Sequence, residues 1–177
     1  GYEPALRVPL VMRFPNRIRK GAVVREFTEH IDVPATITDV MGLGKLPVEH
    51  GASLKPYLEG KKPKNPRKRI FSQYLENEEA FAADDRWKFI FGSGKRKRTD
   101  GYETDNPTPG RYVRLFDKKN DPGEFIDVAA KYPEVVKAMQ AEILARFRGV
   151  HPESNIEPKN LPAPEAIEYY VRPRDAR

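Results

Sequence analysis

The sequence contains no cysteine. That excludes a disulfide framework, a thiolate zinc site and a cysteine nucleophile together. It also has no long apolar run, and its mean hydropathy is −0.72, which excludes a transmembrane helix. The start, Gly1-Tyr2-Glu3-Pro4, shows neither an initiating Met nor a charged segment leading into an apolar one. It therefore reads as a point inside a longer protein rather than as a signal peptide. Histidine is scarce: His30, His50 and His151 stand far apart, with no pair at metal-ligand spacing. None of the serines lies in a G-x-S-x-G context.

What remains is a charged chain of 177 residues, 38% hydrophobic and 33% charged. That length suits one domain, or one domain with an appendage, and is sufficient for a core without staples. Lys and Arg number 32 against 26 Asp and Glu, a net charge of +6. The excess is concentrated in two runs. One passes through Lys61, Lys62, Lys64, Arg67, Lys68 and Arg69, broken by Pro63 and Pro66, and the other is Lys95-Arg96-Lys97-Arg98 behind Gly92-Ser93-Gly94. Solvated loops are the ordinary reading of such runs. Neither contains the interleaved aromatics of a base-stacking surface, so nucleic acid is not expected as a partner. A membrane is not expected either. Lys95, Arg96, Lys97 and Arg98 are the candidate substrate-binding residues, a basic rim for an anionic ligand.

Leu6 to Phe14 reads as a buried strand with Pro9 at an edge. A helix is predicted from Asp32, with Pro34 in its first turn and Ile37, Val40 and Met41 on one face; Gly42 and Gly44 end it. The proline- and lysine-rich stretch that follows predicts a linker with at most one helical turn around Leu54-Tyr57-Leu58. Strands are predicted at Ile70–Leu75, Trp87–Phe91 and Tyr112–Phe116, with a fourth at Ala80–Ala82 pairing across the Asp84-Asp85 turn. Val136, Met139, Ile143 and Phe147 then mark an amphipathic helix from Pro133 to about Arg148, expected to cover a sheet containing Ile70, Phe89 and Leu115. Five prolines, from Pro152 to Pro173, predict an irregular tail that wraps the surface. The boundaries are 1–48, 49–68 (linker), 69–150 and 151–177 (tail).

No complete catalytic constellation is present in these residues. Gly92-Ser93-Gly94-Lys95 lacks the spacing of a phosphate loop. Asp84-Asp85 has the carboxylates for a hard cation, but its place between two strands makes it a turn.

The order of the weak motifs resembles that of type I sulfatases. Tyr2-Glu3 through Arg7-Val8-Pro9-Leu10 to Pro15 is similar to that family's Y-E-x-x-x-R-V-P-L segment. His30-Ile31-Asp32-Val33-Pro34-Ala35-Thr36 resembles its H-x-D-l-x-P-T helix, with the proline one place early, and Gly51-Ala52-Ser53-Leu54-Lys55-Pro56-Tyr57-Leu58-Glu59-Gly60 its G-x-S-L-x-P-x-L-x-G. Arg86-Trp87-Lys88-Phe89-Ile90 resembles its R-x-x-K-y-I strand. Leu115-Phe116-Asp117, with Asp121-Pro122-Gly123-Glu124 and Asp127-Val128-Ala129, resembles its L-Y-D…D-P-x-E…N-L-A signature.

The resemblance implies an α+β fold: a small antiparallel sheet packed by a C-terminal helix, preceded by the last strand and helix of an alkaline-phosphatase-like α/β domain. It implies that the parent protein hydrolyses sulfate esters of aryl compounds or saccharides, in the periplasm or outside the cell. Family members use calcium and a formylglycine made from Cys or Ser in a C/S-x-P-S/A-x-R motif. No such motif stands here. The family's calcium-binding Asp pair is N-terminal, so Asp84-Asp85 does not inherit that role, and the active-site Lys precedes the first motif. No catalytic residue, metal ligand or cofactor is therefore assigned to this chain. Calcium and formylglycine are expected in the parent, and the isolated chain is expected to be inactive and to self-associate through its exposed strand. Two other readings are an anionic-sugar binding module and a fragment of another alkaline-phosphatase-superfamily hydrolase, such as a phosphodiesterase or phosphonate hydrolase.

Overall fold

Bulky residues alternate along three short segments rich in Phe, Ile and Val, and each becomes a strand. The computed structural model describes residues 6–47, 50–95 and 110–172. It places β1 (Ile70–Tyr74), β2 (Glu79–Ala83), β3 (Trp87–Gly92) and β4 (Tyr112–Asp117) side by side in that order. β2 and β3 pair antiparallel, as do β3 and β4. Register sets Ala82 opposite Phe89, and Phe89 opposite Leu115, so these three share one face. The fourth strand expected at Ala80–Ala82 is β2, paired with β3 across Asp84-Asp85 as the sequence predicts.

That face is covered by two helices. α3 (Pro133–Val150) buries Met139, Ile143, Leu144 and Phe147 against Ala80, Ala82, Phe89, Phe91 and Leu115. Pro133 lies in its first turn, where the missing N–H is harmless. From the predicted stripe, Val136 packs at the margin and Leu144 joins the core. Phe71 rather than Ile70 reaches the cluster, because successive side chains on β1 point to opposite faces. On the other face, Phe81, Ile90 and Phe116 form a second cluster with Leu6 and Tyr112.

The second helix corrects the expectation of an irregular tail. Ala163–Val171 forms a helix, α4, whose Ala166, Ile167, Tyr170 and Val171 are buried in the main core. The prolines do not prevent it, because Pro162 and Pro164 sit at the helix start, the one place where proline favours a helix.

The chain divides into two compact units, one of residues 8–70 and the other of residues 1–7 with 71–177. In the first, α1 (Asp32–Met41) ends at Gly42, whose φ of 70° lets its N–H turn back to the carbonyls of Thr38 and Asp39. α2 (Lys55–Leu58) is the single turn expected there. Residues 7–14, expected as a strand, run without one, and Val8, Leu10, Val11 and Phe14 are exposed. Proline at 9 and 15 removes ladder donors, and no described segment pairs with these residues. The expected apolar face of α1 is likewise open: Ile37 and Met41 are exposed, whereas Asp32, Ala35 and Thr36 are buried.

Candidate functional site

The residues that carry the family resemblance are brought together in pairs, and each pair is a lock. Asp32 is buried at the start of α1. One carboxylate oxygen accepts the N–H of Glu29 at 2.8 Å, and the other accepts that of Ala52 at 2.8 Å and the Arg67 guanidinium. Thr36, one turn on, donates to the Asp32 carbonyl at 2.6 Å and accepts the N–H of Leu54 at 2.8 Å. The His-x-Asp helix is thus fastened to the Gly-x-Ser-Leu loop by two side chains. Gly51 is required for this approach, because a Cβ there would run into the backbone of Ile31. Lys55 closes the same junction at 3.1 Å from Asp39, whose carboxyl Ser53 and Lys55 hold below its usual range by hydrogen bonding.

In the second unit, strand β3 is tied to the turn after β4. Lys88 Nζ lies 2.9 Å and 3.0 Å from the two oxygens of Glu124. Arg86 donates to Asp117 at 2.9 Å and 3.2 Å while its guanidinium lies 4.3 Å from the centre of the Trp87 ring. The hydrogen bonds from Arg86 lower the Asp117 carboxyl. Asp127 accepts the N–H groups of Leu115 and Ala129. These contacts join the Arg-x-Lys strand to the Leu-Phe-Asp…Asp-Pro-Gly-Glu…Asp signature, which explains why the motifs occur together.

Asp84 is a turn residue. One of its carboxylate oxygens accepts the N–H groups of Arg86 and Trp87 at 2.9 Å and 2.7 Å. Ser93 is buried and donates to Glu78 at 2.5 Å, so the glycine-serine stretch holds the β2–β3 hairpin rather than a phosphate. His151 packs beside Phe147 and Tyr170 and accepts the Glu153 N–H, while His30 and His50 are exposed. Among the described residues no group of three carboxylate or imidazole side chains is placed to hold a metal ion.

Of the basic rim, Lys95 is described, and its Nζ lies 2.5 Å from Glu168 of α4. Arg96, Lys97 and Arg98 lie outside the described residues. Glu168 also takes Arg111 at 2.7 Å, and Arg111 reaches Glu165 at 2.8 Å. Burial works against the Glu168 charge, but the hydrogen bonds from Arg111 and Lys95 outweigh it and hold the carboxyl low. Gly94 and Gly110 face each other at 3.2 Å, too close for a Cβ at 94. Glu168 and Arg111 carried no signal in the sequence, being 57 residues apart.

A four-stranded antiparallel sheet under a long C-terminal helix, its turns locked by the motif residues of 86–90 and 115–129, is the C-terminal α+β unit of the sulfatase-type alkaline-phosphatase-like fold. Residues 1–148 match the family described as N-sulphoglucosamine sulphohydrolase, C-terminal, and the chain belongs to that family. Over 77 residues it is 36% identical to the N-acetylglucosamine-6-O-sulfatase of Bacteroides thetaiotaomicron, covering 42% of this chain and 14% of that protein. A solved protein in complex with its substrate D-glucosamine-2-N,6-O-disulfate superposes with a TM-score of 0.59 at 22% identity, over 80% of this chain and 28% of that one. The phosphonate monoester hydrolase of Silicibacter pomeroyi does so with a TM-score of 0.59 at 23% identity, over 80% and 29%. The two solved structures share its fold. The chain spans less than a third of each of these relatives.

Proposed function

We propose that the longer protein to which this chain corresponds hydrolyses sulfate esters of sugars, and that the chain is the buttress of that enzyme rather than its chemical centre. The observation that carries this reading is the match of residues 1–148 to the sulphohydrolase C-terminal family. The similarity to an N-acetylglucosamine-6-O-sulfatase supports an amino-sugar sulfate as the substrate class. The locks described above support the structural role, since within one unit Asp32 pairs with Arg67, and within the other Lys88 pairs with Glu124 and Arg86 with Asp117.

Sulfate-ester hydrolysis needs a nucleophile and a cation to gather charge from the sulfate oxygens. The sequence holds neither a cysteine nor a serine in the formylglycine motif, and the described residues offer no cage for calcium. Both groups are assigned to the rest of the longer protein, and so is activity; the same family resemblance is the support for a periplasmic or secreted location. The exposed Val8, Val11, Val23, Ile37, Met41 and Leu43 are the surface that the remainder would cover, and on the isolated chain they favour self-association.

The test is a comparison of substrates on the longer protein. Release of sulfate from N- or O-sulfated glucosamine well above hydrolysis of an aryl phosphonate supports the reading. A preference for the phosphonate replaces it with the chemistry of the phosphonate monoester hydrolases.

A further inference from the structure

A groove of about 480 Å³ lies in the unit of residues 8–70, lined by Asn16, Arg17, Ile18, Arg19, Glu59 and Lys61. It is open to solvent along most of its face, so a ligand there lies against the surface rather than inside a cavity. Its walls are fixed by the backbone. The turn at Asn16 is closed by the N–H groups of Arg17 and Ile18 on the Phe14 carbonyl, at 3.1 Å and 2.9 Å. The Arg19 N–H then reaches the Leu58 carbonyl at 3.1 Å, joining that turn to the end of α2. Gly60 caps α2 with a φ of 76°, and the Arg19 side chain lies across it, 3.7 Å from where a Cβ would stand.

The charge of this groove is unbalanced. Lys61 is 2.8 Å from Glu59 and holds its carboxyl low, first by that hydrogen bond, so one cation and one anion cancel. Arg17 and Arg19 remain, and neither has a carboxylate partner among the described residues. Two unspent guanidiniums lining one open depression are suited to an oxyanion, because the planar fork of each bonds two oxygens at once. None of the lining residues is aromatic, so there is no platform on which a nucleobase could stack.

We propose that this groove is an anion subsite for a sulfated oligosaccharide, with Arg17 and Arg19 holding a sulfate or carboxylate group of the chain. The identity of the ligand as a saccharide rests on the function proposed above; the site itself rests on the geometry. It would make the enzyme's substrate a polymer engaged at two places rather than a single sulfated sugar.

The probe is a heparin-derived hexasaccharide, titrated calorimetrically into the 177-residue chain at low salt. Arg17→Ser with Arg19→Ser should weaken binding roughly tenfold. Lys137→Ser with Lys159→Ser removes the same charge from exposed positions elsewhere and should change it less than about twofold. Lys61→Ser, which also releases Glu59 to compete for the arginines, should weaken binding too. Protection of the Ala52 and Leu54 amides from hydrogen exchange checks that the unit of residues 8–70 is folded in each variant, and the near-ultraviolet signal of Trp87 checks the other unit. No binding by the unmodified chain, an equal loss in both double variants, or equally tight binding of a single-stranded oligonucleotide of matched charge would overturn the proposal. If the longer protein turns over an aryl sulfate while the arginine variants bind like the unmodified chain, only the subsite fails. If binding is lost as expected but no sulfate ester is cleaved, the subsite stands and the hydrolase reading fails.

Discussion

Lys88 Nζ sits between the two oxygens of Glu124, and the two side chains are 0% and 2% exposed. The strand residue and the turn residue are 36 positions apart. Glu124 adopts φ of 58°, a left-handed conformation that a non-glycine residue holds only when its surroundings fix it. The pair therefore fixes the Asp121-Pro122-Gly123-Glu124 turn over the sheet.

Removing one partner leaves a buried charge without its counter-charge. Lys88→Met or Glu124→Gln alone should cost about 3–5 kcal/mol, whereas Lys88→Met with Glu124→Leu should recover most of that loss. Urea titrations of the three variants check this. A double variant as unstable as the sum of the singles would show that the two side chains act independently.

Asp32 makes the corresponding prediction in the other unit. Asp32→Ala leaves the amides of Glu29 and Ala52 without their acceptor, and leaves Arg67 only the Glu29 carboxylate, 2.7 Å away, of its two carboxylate partners. Hydrogen exchange at Ala52 should accelerate strongly while exchange in β3 stays as it was. Unchanged protection at Ala52 would mean that the loop is held by Thr36 and Leu54 alone.

Phe147 is buried in the main core and stacks on Tyr170 at 5.1 Å between ring centres. Phe147→Ala should destabilise the unit by about 3–5 kcal/mol. A loss below about 1 kcal/mol would contradict the packing of α3 and α4 on one another.

Most of this architecture was legible in the sequence, for a physical reason. The strands and α3 are specified by local periodicity, and burial in a two-layer unit leaves that periodicity clear. The segment at 6–14 reads as a strand in the sequence because an apolar run looks alike whether or not a partner strand exists. α4 is hidden in the sequence because Pro162 and Pro164, which elsewhere break a helix, stand at its start. The charge locks were invisible because each joins residues tens of positions apart, and spacing carries no trace of such contacts. Lys95 was legible as a cation but not as a partner of Glu168, for the same reason.

Glu157 links the end of α3 to α4: Arg148 donates to it at 2.7 Å and 2.9 Å, and Tyr170 at 2.7 Å. The Arg148 hydrogen bond, with Tyr170 adding to it, holds the carboxyl at about 2, against an ordinary 4.5. A lowered folded value stabilises above about pH 4.5 and is lost as pH falls toward about 2. Arg148 is half exposed, so solvent screening limits the effect to about 1 kcal/mol or less. Glu157→Gln should therefore be less stable than the unmodified chain at neutral pH, with the gap closing below about pH 3. A gap that does not change with pH would assign the effect to Tyr170 packing instead.

The central claim is that these 177 residues frame a sulfate-ester hydrolase without supplying its reacting groups. An aryl sulfate assay with calcium present, run on the purified chain beside the longer protein, tests it most directly. The account predicts turnover by the longer protein and none by the chain. Calcium-dependent turnover by the chain, abolished by a substitution within residues 1–177, would contradict it.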